Sequence, residues 1–108
     1  MAKRFLIRPR AVQDIDNHAE YFSRNANLLV ANRFFERLAE TLMLIWSTPE
    51  IGSPWESNRK ELEGLRFWIP RRFKNHVIFY FETDESVEIV RVLQASRDLE
   101  KRLLEIDE

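Results

Sequence analysis

The sequence contains no cysteine. Disulfides and thiolate metal sites are therefore excluded, and a reducing cytoplasm is the expected compartment. Glycine is almost as scarce, with Gly52 and Gly64 the only two in 108 residues. Phosphate-cradling loops need several glycines to bring backbone up to a ligand, and neither of these sits in such a motif. Histidine is limited to His18 and His76, on segments expected to form different elements, and no spacing gathers carboxylates around them. No metal and no cofactor are expected on those grounds, and His18, on the polar side of its helix, is expected to be solvated. Neither histidine has a serine in a recognisable nucleophile turn. No run approaches the ~20 apolar residues of a membrane span, and the basic opening MAKRFLIRPR has no apolar stretch behind it, so a soluble protein is expected. Net charge is also nearly absent, at −1. Long-range attraction to phosphate backbones is then weak, no direct sequence-specific nucleic-acid binding is expected, and any such contact must be local.

What is present suits one domain spanning residues 1–108, long enough to bury somewhat over ~60% of its unfolded surface. Charge falls in blocks: net +4 over residues 1–10, −4 over 11–58, +4 over 59–76 and −5 over 77–108. KRFLIRP, residues 3–9, reads as a short strand stopped by Pro9. From Pro9, Val12, Ile15, Ala19 and Phe22 recur at helical spacing, predicting a first helix that ends near SRNAN. Leu28 to Trp46 predicts a second helix with Ala31, Phe34, Leu38, Leu42 and Ile45 in one stripe, widened by Phe35, Ala39, Met43 and Trp46. A band that wide must be covered on two sides. The short connection makes the pair an antiparallel hairpin. PEIGSPWESN, residues 49–58, reads as a long turn-rich loop. After Gly64 the period changes to 2: Leu65 to Ile69, His76 to Phe81 and Val87 to Leu93 read as three strands of a meander, the middle one apolar on both faces. Asp98 to Ile106 reads as a short closing helix. The order β-αα-βββ-α gives an α+β fold, a helix hairpin on a small, mostly antiparallel sheet.

Few residues offer chemistry. Glu61 and Glu63 form a carboxylate pair, but alternation and the basic neighbours Lys60 and Arg66 suit surface ion pairs better than acid–base work. What remains is basic and aromatic: Arg66, Trp68, Arg71, Arg72, Phe73 and Lys74 around the first hairpin of the sheet, with Arg91 and Arg97 on the last strand and its corner. Arginine beside an aromatic ring suits a macromolecular contact. Arg91, set among Val and Leu, is also expected to pair with a carboxylate from a neighbouring strand.

The run LRFWIPRRFKNHVIFYFETDESVEIVRVLQASRDLEKRL, with LMLIWSTPEIG and RPRAVQDIDNHAEYF before it, resembles the ParE branch of the RelE/ParE superfamily of bacterial toxin–antitoxin toxins, the plasmid-stabilisation type. The most specific pieces are Ile78, Phe79 and Tyr80, then Ile89 to Leu93, then Arg97 with Asp98; Pro49 with Gly52, and Ala11, Asp14, Ile15 and Tyr21, lie in register. The resemblance implies two helices on a mostly antiparallel sheet and a small ParD-like antitoxin that wraps the toxin. The wide stripe of the second helix, through Phe34, Phe35, Leu38, Leu42 and Trp46, supplies the candidate antitoxin surface.

It also implies a choice of target. ParE-type members poison DNA gyrase and cleave nothing; RelE-type members cut messenger RNA on the ribosome. RelE-type toxins place an arginine before the apolar pair and tyrosine of the central strand, where this chain has Val77, and a histidine or tyrosine near the C-terminus, which LEKRLLEIDE lacks. Metal-free cleavage needs a base, an acid and a cation, and only the cation is evident. A gyrase inhibitor without catalytic residues is therefore expected, its target contacts drawn from Arg66, Trp68, Arg71, Arg72, Lys74, Arg91, Gln94 and Arg97. Gln94 stands where many ParE-like sequences have histidine. A ribosome-dependent ribonuclease, or a degenerate toxin that only binds its antitoxin, are the alternatives. QASRD is expected to be a contact corner, with Asp98 capping the last helix.

Overall fold

The computed structural model describes residues 3–73, 75–96 and 98–105. Strand β1 (Arg4–Ile7) leads through Arg8 into α1 (Pro9–Asn25), with Pro9 in the first turn, where a missing N–H costs nothing. Helix α2 (Leu28–Ser47) follows after two residues, its start capped by Asn27, whose side chain accepts from the Val30 N–H at 2.9 Å. A 3-10 turn (Pro49–Ile51), strand β2 (Ser53–Pro54) and a second 3-10 turn (Lys60–Leu62) lead to β3 (Arg66–Trp68), β4 (His76–Glu82), β5 (Ser86–Gln94) and α3 (Leu99–Leu103). The sheet runs β1-β5-β4-β3-β2, with β1 parallel to β5 and every other pair antiparallel. The expected meander is β3-β4-β5.

Three details differ from expectation. The loop after α2 holds a strand: Ser53 and Pro54 pair with Phe67 and Arg66. Two residues carry no alternation to read, and a proline lacking N–H suits the sheet edge. Asp98 stands at the N-cap of α3, but its side chain makes no cap bond; its own N–H donates to Ser96 Oγ at 3.3 Å. Helix α3 ends at Leu103, with Leu104 at its C-cap, short of the expected Ile106, which lies outside the described residues.

The sheet is covered on both faces. Ile78, Tyr80, Val87, Ile89 and Val92 meet Ala11, Ala19, Phe34, Leu38, Leu42 and Ile45 of the helices. On the other face Val77, Phe79, Val90 and Leu93 meet Leu62, Leu65 and Leu103, with Trp55, Phe67 and Leu99 around them. Trp55 Nε1–H donates to Glu100 Oε1 at 3.1 Å, tying the loop to α3. Each fully buried Leu, Ile, Val or Phe contributes about 1.5–3 kcal/mol. The α2 band, in contrast, is covered on one side only: Phe35, Met43, Leu44 and Trp46 remain exposed.

β1 pairs with β5 from Ser86 to Ile89, and among the described residues the β5 edge beyond it has no strand partner on that side. Helix α1 supplies side chains instead. Asp14 accepts from the Val92 N–H at 3.0 Å, from Arg91 Nε at 2.7 Å and from Arg91 Nη2 at 2.9 Å. One turn on, His18 Nε2–H donates to the Val92 carbonyl at 2.8 Å. Arg91 Nη1 reaches the carbonyl of Arg102 in α3 at 2.9 Å. Arg91 is thus buried, 2% exposed, and its carboxylate partner comes from a helix rather than a neighbouring strand. A register shift makes this possible: Phe79 faces Arg91 while Tyr80 faces Ile89. Strict alternation would send Val90 and Val92 to one face, whereas they pack into opposite cores.

His18 is correspondingly half-buried rather than solvated. Its ring meets His76 edge-on, with centroids 4.5 Å apart. Burial, and secondarily the neighbouring His18, lower the His76 pKa from 6.5 to about 4.

Two predictions follow from this seam. Asp14→Ala leaves a buried guanidinium and a strand N–H without their acceptor, so urea unfolding is expected to show a loss of about 3–5 kcal/mol. A loss under about 1 kcal/mol contradicts the assignment. For His76, the unfolded chain takes up a proton near pH 6.5 that the folded chain refuses until about pH 4. Stability therefore falls as pH drops through that window, by about 2 kcal/mol after allowance for solvent at the cavity mouth. Comparison of His76→Phe with the native chain at pH 7.5 and pH 4.5 isolates this share, and identical slopes refute it.

Candidate functional site

The connection from β3 to β4 carries the charged residues that the sequence singled out. Trp68 is half-buried at its start, and Phe73 turns back into the core, 5.4 Å from Phe22 and 5.3 Å from Phe34 between ring centroids. Between them Arg71 and Arg72 are exposed. Arg72 has φ 72°, the only non-glycine with positive φ among the described residues. Holding a long side chain in the left-handed region costs about 1–3 kcal/mol, offset here by the anchoring of Phe73 on one side and buried Pro70 on the other.

Arg72 belongs to two hollows. One, of about 290 Å³, lies against α2 and is lined by Arg37, Glu40, Thr41 and Leu44 together with Trp68, Arg71 and Arg72. The other, of about 440 Å³, lies against α1: Asn17, His18, Tyr21 and Phe22 form one wall, Arg72, Phe73 and Asn75 the rim, and His76 and Gln94, paired across β4 and β5, the third side. The two histidines, distant in sequence, meet here. The signal was available in the i, i+4 spacing of Asp14 and His18, which places both on the face of α1 that meets β5.

The pair does not make an acid–base couple for in-line cleavage. Acid and base must stand on opposite sides of a phosphorus atom, yet these rings touch. His18 spends Nε2–H on the Val92 carbonyl, and His76 is uncharged at neutral pH. Tyr80 is equally occupied. Its hydroxyl donates to the Pro49 carbonyl at 2.5 Å and accepts from the Gly52 N–H at 2.8 Å, and burial raises its pKa, keeping it protonated. A Cβ on Gly52 would run into that hydroxyl and stand 2.8 Å from the ring carbons. Pro49, Gly52 and Tyr80 thus form a structural clamp on the α2 exit. Among the described residues no group of three or more His, Cys, Asp or Glu could hold a metal ion.

The remaining candidates divide by burial. Arg66 Nη1 donates to the Gly52 carbonyl at 2.7 Å, bracing the same turn. Trp68, Arg71, Arg72 and Gln94 line the hollows. Arg91 is interior and unavailable to a partner, while Lys74 and Arg97 lie outside the described residues. Of the antitoxin candidates, Phe34, Leu38 and Leu42 are core, 2%, 5% and 9% exposed, because the stripe of strict helical spacing is the one that faces the sheet. Phe35 and Trp46 are exposed, alongside Leu28, Leu29, Met43 and Leu44, which the sequence reading did not select. Trp46 packs on Phe5 at 5.5 Å and donates to the Lys3 carbonyl, joining this face to the outer edge of β1, where Leu6 and Ile7 are also exposed.

No curated protein matches the chain in sequence. Among solved structures, a chain of the "Chromosomal ParDE TA system from P. aeruginosa" superposes with TM-score 0.73 at 13% identity, over 88% of this chain and 98% of that one. At that identity the likeness shows a shared fold. The sequence profile of the family described as "ParE toxin of type II toxin-antitoxin system, parDE" matches residues 5–99, a span that runs from β1 through the double-faced sheet to the first residue of α3. The chain therefore belongs to the ParE toxin family of type II toxin–antitoxin systems.

Proposed function

We propose that this chain inhibits DNA gyrase through the β3–β4 connection and is neutralised by a ParD-type antitoxin that covers the exposed face of α2. The observation that carries the target half is Arg72, an arginine held in costly left-handed backbone between two hollows, next to Arg71 and Trp68. Arginine and tryptophan are the side chains that most often anchor protein interfaces, and strained residues gather where a surface is used. The antitoxin half rests on Leu28, Phe35 and Trp46, which share one line of α2 and stay exposed, a surface suited to an apolar helix or extended segment.

A ribosome-dependent ribonuclease is the second reading, favoured by one observation: His18, His76 and Arg72 line the same cavity. The ring contact and the uncharged state of His76 weigh against it.

Purified protein at micromolar concentration is expected to inhibit gyrase supercoiling and accumulate cleaved DNA. Arg72→Gly, which suits the left-handed backbone and removes the side chain, is expected to weaken inhibition about tenfold or more. Absence of inhibition, or message cleavage on translating ribosomes instead, overturns the proposal. For the antitoxin, the double variant Leu28→Asp with Phe35→Asp is expected to fold normally and lose about a hundredfold in affinity for a ParD-type partner, measured by calorimetry. Unchanged affinity places the interface elsewhere.

A further inference from the structure

The cavity between α1 and the start of β4 has chemistry that neither contact surface requires. His76 on its wall is 7% exposed, and its Nδ1 is buried with no hydrogen-bond partner. That nitrogen lies beneath the cavity wall with no surface open to it, so what His76 offers an occupant is the rest of its ring. Three carboxamides, Asn17, Asn75 and Gln94, line the same space, and each both donates and accepts. Tyr21, 62% exposed, offers a free ring face. Among the described residues that line it, Arg72 supplies the guanidinium and no carboxylate is present.

That inventory discriminates among occupants. A cation finds no carboxylate. A transition metal finds two imidazoles in edge-on contact, one already committed through Nε2 to a backbone carbonyl. An acidic side chain calls for donors and positive charge, which three amphoteric amides and a neutral imidazole do not optimise. A flat heterocycle with mixed donors and acceptors, joined to one anionic group, matches the amides, the rings and the single arginine together. The volume of about 440 Å³ lies in the usual range for a small-molecule site. A contact of this kind is local and compatible with a chain of net charge −1.

We propose that this cavity binds one nucleotide unit, free or within a single strand, with the base edge toward Asn17, Asn75 and Gln94 and the phosphate toward Arg72, and leaves it uncleaved. The occupant packs against the His76 ring and lies beside the seam that Asp14 and His18 hold shut. Arg72 is shared with the proposed gyrase contact, while the cavity's other lining residues from α1 and β4 are not, and the binding is read out without gyrase.

The test is an NMR titration of the full labelled chain with AMP, CMP, inorganic phosphate and a short single-stranded oligonucleotide, none of which involves gyrase. Nucleoside monophosphate is expected to shift the His76 and Gln94 signals and saturate in the millimolar range or below, with phosphate alone about tenfold weaker. Gln94→Ala and Arg72→Gly are each expected to lower affinity about fivefold, with the melting temperature near native in the first and unchanged or raised in the second, where glycine relieves the left-handed backbone. Tighter binding of the oligonucleotide identifies a strand as the source, tighter binding of the mononucleotide a free nucleotide, and both support the site. No shift at about 10 mM nucleotide, an equal response to phosphate alone, unchanged affinity in both variants, or recovery of a cut oligonucleotide overturns it.

Discussion

The carboxylate of Asp14 holds the architecture at its most exposed point. β5 loses its parallel neighbour after Ile89, and a strand edge left open at the centre of a small domain would carry unmet N–H and C=O groups. A helix cannot extend a sheet through its own backbone, because its amides are spent internally. Two side chains one turn apart do so instead: Asp14 accepts and His18 donates, standing in for the two bonds a neighbouring strand would make to Val92. Arg91 neutralises the carboxylate and passes the connection to α3. α1, β5 and the C-terminal helix thereby meet at one buried ion pair, whose value lies in geometry more than in net energy.

From that point the candidate surfaces are fixed in place. Seating α1 on the β5 edge brings His18 against His76 and encloses the cavity that Gln94 and Arg72 complete. Seating α2 beside it leaves one side of a wide apolar helix facing water, continuous through Trp46 with the outer edge of β1. The clamp of Tyr80 on Pro49 and Gly52 settles the path of the chain as it leaves α2, and Arg66 braces the same turn from β3. One side of α2 is thus oily, and the exposed arginines Arg71 and Arg72 gather at a hollow that reaches the same helix at Leu44.

Much of this was readable from period and punctuation. The two long helices, the meander and the α+β class followed from apolar spacing, from Pro9, from the short SRNAN connection and from the turn-rich stretch after Pro49, because those signals are local. The two-residue strand at Ser53 was illegible, since pairing there is imposed by β3 and not by its own residues. The α2 stripe misled for a different reason. Periodicity reveals that a helix has an apolar face but not which part of a broad one is covered, so Phe34, Leu38 and Leu42 were assigned to a partner when the sheet already holds them. Arg91 was expected to find a carboxylate, and did, but the partner lay 77 residues away on a helix. The meeting of His18 with His76 likewise depends on tertiary closure, which one sequence does not display.

The register shift between Phe79 and Tyr80 gives the final strand a memory of parity. Upstream of it, odd and even positions of β5 are sorted one way between the two hydrophobic layers; downstream they are sorted the other way, which is how Val90 and Val92 part company. Straightening the strand there while keeping all nine of its residues would preserve every element and every apolar letter, yet turn the tip of the strand inside out, exchanging the tenants of the two layers. The chain's tolerance of insertion and deletion is therefore set less by how much it buries than by an odd count of residues at one kink.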